Sequence, residues 1–198
     1  MKSVAVSPDG LTLATMGADS KIMTWEQDSI GDWVNVDSIN TDSLGTPNLR
    51  SLFFSPDGLS IVAGTDYGAL ICEYSNNKWH IIDKIHTDVD PSGNTYFRVA
   101  YSPIANTTPT LREGPFTQLM ASGSRDNRIK LWDATDLSGG DPLLTLDGGK
   151  GGHGDSVYNV LFSPDGRYLV SASENSGGNE IKVWDLEGVY SATDSYHA

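Results

Sequence analysis

The chain has 198 residues, 38% of them hydrophobic and 20% charged, which suffices to bury the core of one domain and excludes compositional disorder. Thirteen basic residues face twenty-six acidic ones, a net charge of −13, so no basic stripe is available to neutralise nucleic-acid phosphates or an anionic membrane. The single Cys72 excludes an internal disulfide and a cysteine-rich zinc cluster and fits a reducing compartment.

The opening Met1-Lys2-Ser3 runs directly into an alternating pattern, Val4 and Val6, so neither a secretory leader nor a membrane span is expected. Ser7-Pro8-Asp9-Gly10 follows as a hairpin turn, in which Gly accepts positive φ and Asp bonds its own backbone. A second strand, Leu11 to Ala14, leads through a polar turn to a third ending at Trp25-Glu26. A fourth runs from Trp33 to Ile39. The same grammar then restarts. Leu52 and Phe54 precede Ser55-Pro56-Asp57-Gly58, and Ser60 to Ala63 and Trp79 to Ile85 supply later strands. Val99 and Tyr101 precede Ser102-Pro103, with Gln118 to Ala121, Trp132-Asp133 and Leu143 to Leu146 after them. Val160 and Phe162 precede Ser163-Pro164-Asp165-Gly166, followed by Tyr168 to Ser171 and Trp184-Asp185.

The Ser-Pro starts are 48, 47 and 61 residues apart, a supersecondary period that sets the organisation of the whole chain. No segment shows sustained helical periodicity with caps at both ends. The expectation is an all-β chain of four four-stranded antiparallel meanders, at about 1–40, 48–86, 95–147 and 156–198. Counting from each Ser-Pro, copy two has Glu73 where copy one has Trp25. Copy three carries twelve extra residues, which fit the Pro-broken stretch Ile104 to Phe116, and copy four carries three, which fit Ser176-Gly177-Gly178.

These residues resemble the WD40 repeat family: the Ser-Pro-Asp-Gly turns, Gly152-His153, Ser122-Gly123-Ser124-Arg125-Asp126, and the Trp-Asp ends at Trp132-Asp133 and Trp184-Asp185. The resemblance covers nearly the whole chain and implies a β-propeller, partial or small, with blades packed radially around a channel. It also implies a buried polar network in each blade, of His, Ser or Thr, Asp and Trp. Thr15, Asp19 and Trp25 match it in copy one, and Ser122, Asp126 and Trp132 in copy three. Copy four offers His153, Ser171 and Trp184, with Asn175 in the Asp place. Copy two, with Ala63, Tyr67 and Glu73, should lack the network, and His86 lies six residues too early for copy three. These residues read as structural, because strand burial denies a serine the exposure that a nucleophile needs.

Propellers have about four to eight blades, and the family usually has about seven, so four blades pose a closure problem. Missing blades of a longer propeller, a homodimer joined arc to arc, or closure by four blades alone each answer it. The expected function is a non-enzymatic scaffold for protein partners, with no cofactor and no metal, in the cytoplasm or nucleus. Tyr67 and Arg125 are the candidate anchors, with Asp66 and Asn127 beside them and Ala18 and Asn175 on equivalent turns. One alternative is an enzymatic or metal-dependent propeller using the channel mouth or the loop Asp88-Val89-Asp90-Pro91-Ser92-Gly93-Asn94. That loop has the first half of a calcium pattern but Val99 at its twelfth position. The other alternative is a piece of a longer WD40 protein without independent function. Gly148 to Gly154 lacks the Gly-Lys-Ser/Thr order of a phosphate loop and reads as a connection between blades.

Overall fold

The computed structural model describes residues 2–42, 48–66, 68–86, 98–103, 118–134, 142–146, 152–175 and 178–186. The first sheet holds β1 (Ser3–Val6), β2 (Thr12–Met16), β3 (Lys21–Gln27) and β4 (Trp33–Asn40). The second holds β5 (Leu49–Phe54), β6 (Ser60–Thr65), β7 (Gly68–Ser75) and β8 (Lys78–His86). The third holds β9 (Arg98–Tyr101), β10 (Leu119–Gly123), β11 (Ile129–Asp133) and β12 (Leu144–Leu146). The fourth, among the described residues, holds β13 (Val157–Phe162), β14 (Tyr168–Asn175) and β15 (Gly178–Asp185). Strand order follows chain order in every sheet and all pairings are antiparallel, so the fold is a series of all-β meanders.

The three Ser-Pro-Asp-Gly turns are built alike. Ser7 Oγ donates to Asp9 Oδ1 at 2.6 Å, Asp9 Oδ1 accepts Leu11 N–H, and Ser7 Oγ accepts Thr12 N–H. The same set recurs around Ser55-Asp57 and Ser163-Asp165. Gly10, Gly58 and Gly166 take φ of 75°, 74° and 68°, the left-handed region that a side chain disfavours. The hydrogen bond from Ser7, and that from Leu11, hold the Asp9 carboxyl below its ordinary pKa. Copy three lacks Asp-Gly but keeps the closing bond from Ser102 N–H to Leu119 O. Its insertion lies between the paired strands β9 and β10, with 104–117 outside the described residues.

The sheets stack face to face, and β1, β5, β9 and β13 lie side by side in that order along the inner edge. Each of these sheets has a leading face, toward the sheet before it, and a trailing face, toward the sheet after it. Ala14, Met16 and Ile22 on the first trailing face pack against Leu52, Phe54, Ile61, Cys72 and Trp79 on the second leading face. Val62, Ala69 and Ile71 then pack against Val99, Tyr101, Met120 and Trp132. Ala121, Ile129 and Leu131 pack against Val160, Leu169 and Leu186, with Trp184 alongside. Among the described residues the core is therefore three apolar layers between four sheets, with Phe53 touching both the second and the third, in keeping with radially stacked blades. Packing of that extent does not join β13 back to β1.

The second joint position of copy two differs from the residue count. Register places Cys72, not Glu73, across from Ile61, as Trp25 stands across from Leu13. Glu73 points to solvent instead. Cys72 is far smaller than an indole, and Trp79 from β8 joins it on that face, its ring edge-on to Phe54 with centroids 5.9 Å apart. Burial pushes the Cys72 thiol up to about 12, so it behaves as a packing residue.

Candidate functional site

Three of the described sheets carry an indole bonded to a hydroxyl on the neighbouring strand. Trp25 Nε1 donates to Thr15 Oγ1 at 2.9 Å, Trp132 Nε1 to Ser122 Oγ at 2.9 Å, and Trp184 Nε1 to Ser171 Oγ at 2.8 Å. Trp132 is only 3% exposed, so this bond meets the need of a donor cut off from water. Trp25 and Thr15 are half-buried, because their face of the first sheet is uncovered.

The fourth sheet extends the pattern into a relay. Ser171 Oγ lies 2.6 Å from His153 Nε2, and His153 Nδ1 lies 3.0 Å from Glu180 Oε2 and 2.8 Å from Ser173 Oγ. Because the indole donates to Ser171, the hydroxyl turns its proton to Nε2, and Nδ1–H donates to Glu180. Burial pulls the His153 pKa below its ordinary value, and Glu180 offsets this only in part, so the ring is neutral. Burial pushes the Glu180 carboxyl up, but the Lys182 and His153 contacts outweigh it and the net shift is downward. Lys182 Nζ sits 3.2 Å from Glu180 and donates to Gly152 O at 2.6 Å.

Asn175 stands where the family resemblance places an Asp, and the structure supplies the acid of this relay from Glu180 on β15 instead. Ser173 and Glu180 are register partners, which brings the carboxylate to the ring from the neighbouring strand. The Asn175 side chain lies outside the described residues, as does that of His86. Asp126 joins neither indole nor imidazole in its observed bonds: its Oδ1 accepts Arg128 N–H and closes its own turn. Asp19 lies in the β2–β3 turn, its Oδ1 close over Gly17.

Serine, histidine and carboxylate in this order have the connectivity of an acyl-transfer triad. Ser171 is buried and already accepts the indole N–H, so no carbonyl can reach its oxygen. The arrangement pins strands and has no open face for chemistry.

The partner-binding candidates lie on the turns between second and third strands. Pairing of Ser3 with Met16 and of Arg98 with Gly123 puts these turns at the same end as the starts of the first strands. Arg125 is exposed on the β10–β11 turn, and Arg128 is exposed beside it. Asn127 has φ of 68°, so its residue type serves the turn itself. Asp66 is committed inside the fold, ion-paired with Arg50 and accepting Asn48 Nδ2 at 2.6 Å. Tyr67 lies outside the described residues, as do Asp88 and Asp90 of the acidic loop and Gly148 to Gly151.

Sequence reasoning missed Arg98, which ties three inner strands together at this end. Its Nη1 donates to Arg50 O, and its Nε to Tyr158 O at 2.9 Å. Burial, and then the like charge of Arg50, pull its pKa below the ordinary value. Lys2 Nζ adds a link from the first sheet to Asn48 Oδ1 at 3.3 Å. Among the described residues, no group of three or more His, Cys, Asp and Glu could hold a metal ion.

Stacked four-stranded meanders, Ser-Pro-Asp-Gly turns and an indole bonded to a neighbouring hydroxyl define a WD40-type propeller blade array. The family model described as "WD domain, G-beta repeat" matches residues 111–133 and 140–185. Over those residues the chain is similar to the WD40 repeat family. It is 40% identical over 85 residues to "Nuclear distribution protein nudF 2" of Aspergillus clavatus, covering 43% of this chain and 17% of that protein. It is 30% identical over 150 residues to "Nuclear distribution protein PAC1" of Arthroderma benhamiae and of Trichophyton verrucosum, covering 70% of this chain and 29% of each. The chain thus spans less than a third of the length of these relatives.

Proposed function

We propose that this chain is a non-enzymatic protein-interaction scaffold whose partner docks at the end of the blades where the β10–β11 turn lies. The observation that carries this reading is Arg125, exposed at the tip of a turn held between two strands that the Trp132–Ser122 bond locks. A rigid blade holds the arginine in place, and arginine in such a setting is favoured as a binding anchor because little order remains to be imposed on docking. Tyr67 on the corresponding turn of the second sheet is the proposed second anchor, with Asp66 and Asn127 shaping their turns. A cytoplasmic setting suits the buried Cys72 thiol. Two relatives are named as nuclear distribution proteins, so partners in that process are the first baits to test.

The test is a quantitative pull-down or titration with the captured partner. Arg125→Ala is expected to weaken binding by about 1 to 2 kcal/mol, roughly 5- to 30-fold. Unchanged affinity for both Arg125→Ala and Tyr67→Ala removes this end of the blades from consideration.

A further inference from the structure

The joint between the first and second sheets, at the end opposite Arg98 and Arg125, leaves bare an aromatic side chain whose counterparts in the other two joints are packed. The last row of the first trailing face there is Thr12, Glu26 and Val34, and the last row of the second leading face is Leu59, Tyr74 and Trp79. Tyr74 N–H donates to Leu59 O, as Ala134 N–H does to Gln118 O and Leu186 N–H to Arg167 O, so Tyr74, Ala134 and Leu186 are equivalent. Ala134 packs into the second apolar layer and Leu186 is fully buried in the third, whereas Tyr74 is 38% exposed. Its neighbours Leu59 and Val34 are 54% and 40% exposed.

This corner is held in place from behind. The Tyr74 and Trp79 ring centroids are 5.3 Å apart, and Trp79 stands edge-on to buried Phe54. Trp79 N–H donates to Asp37 Oδ2 at 2.9 Å, which ties β8 to β4 across the joint. Carboxylates rim the apolar row. Glu26 pairs with Val34, Asp28 and Asp32 bound the β3–β4 turn, and Asp57 Oδ1 accepts Leu59 N–H at 2.9 Å. None of these four carboxylates is ion-paired among the described residues. Such a rim repels nucleic acid and anionic lipid and attracts a protein segment of opposite charge. We propose that this corner docks a basic partner segment. One aliphatic side chain of the segment lies against Val34, Leu59 and Tyr74, and its lysines or arginines face Glu26 and Asp32. An arginine there gains in addition from the face of the Tyr74 ring. Lying at the opposite end from Arg125, the corner is a second surface, and it does not depend on the docking proposed above.

Fluorescence anisotropy tests this with a short fluorescein-labelled peptide in which a single leucine is flanked by lysines. Two control peptides carry glycine for the leucine, or glutamate for every lysine. The lysine–leucine peptide is expected to bind, and to bind more weakly as salt screens the rim. The glycine peptide is expected to bind about tenfold more weakly, and the glutamate peptide not at all. Val34→Ser/Tyr74→Ser and Glu26→Lys/Asp32→Lys alter exposed side chains, with folding checked by circular dichroism. Each is expected to weaken the lysine–leucine peptide by about 5- to 30-fold, while Arg125→Ala leaves it unchanged. The charge-reversed variant keeps the apolar row intact, so it reads the same site even if Val34→Ser/Tyr74→Ser disturbs folding. Glycine and leucine peptides of equal affinity overturn the proposal, because the whole chain at −13 would then be attracting lysine without a site. Wild-type affinity in the charge-reversed variant overturns it, as does the absence of binding at millimolar peptide.

Discussion

Two indole hydrogen bonds of equal length, in equivalent places, should differ in value because only one is shut off from water. Ser122→Ala deletes the acceptor of Trp132 Nε1, in a site where the indole is 3% exposed. The orphaned N–H then bears its full desolvation cost, about 1 to 3 kcal/mol. Thr15→Val deletes the acceptor of Trp25 while keeping the side-chain shape, and water reaches the half-buried indole, so the loss is about 0 to 0.5 kcal/mol. Urea unfolding followed by tryptophan fluorescence measures both losses. In thermal melts Ser122→Ala is expected to lower Tm by about 2 to 12 °C, at about 2 to 4 °C per kcal/mol for a chain of this size. Equal losses, or a larger loss for Thr15→Val, would refute the claim that burial sets the worth of this bond.

Three further outcomes follow from particular contacts. Thr24 is fully buried, its Oγ1 has no hydrogen-bond partner among the described residues, and equivalent positions hold Ile71 and Leu131. Thr24→Val should therefore raise the urea midpoint, by about 1 kcal/mol in stability. A Cβ on Gly123 would stand 2.7 Å from Val157 Cγ1 and 3.1 Å from Val160 Cγ1, so Gly123→Ala should wedge the third and fourth sheets apart and cost about 1 to 3 kcal/mol by the same assay. His153 is a base whose folded pKa lies below its unfolded value, so the unfolded chain binds the extra proton first. Stability is then full above about pH 6.5 and falls as pH drops from there through the folded pKa. Urea midpoints at stepwise lower pH should show this decline, and His153→Gln should flatten it.

The fold was legible because its signals are local. Each Ser-Pro-Asp-Gly turn satisfies itself with its own serine and aspartate, and alternation such as Val4-Ala5-Val6 needs no tertiary information. The indole–hydroxyl pairs were legible too, since both partners sit at fixed offsets on adjacent strands of one meander. Counting failed where register departs from uniform spacing. The hairpin from Ile61 to Cys72 is one residue shorter than that from Leu13 to Trp25, which moves Cys72 into the place that counting assigns to Glu73. Glu180 was illegible because its carboxylate reaches His153 across a strand pair, whereas the family pattern puts the acid in the turn, at Asn175. Arg98 was missed because its acceptors are main-chain carbonyls of Arg50 and Tyr158, which no side-chain pattern announces.

The repeated joint also bears on how arrays of different length arise. Every internal sheet receives its predecessor and its successor through the same two surfaces, as Trp132 and Leu131 do on opposite sides of the third sheet. Adding or removing a whole unit therefore leaves both termini of the stack chemically as they were. Nothing inside a single unit counts its fellows, so the tally of units in a finished assembly is dictated by curvature and by whichever surfaces meet when the circle is complete.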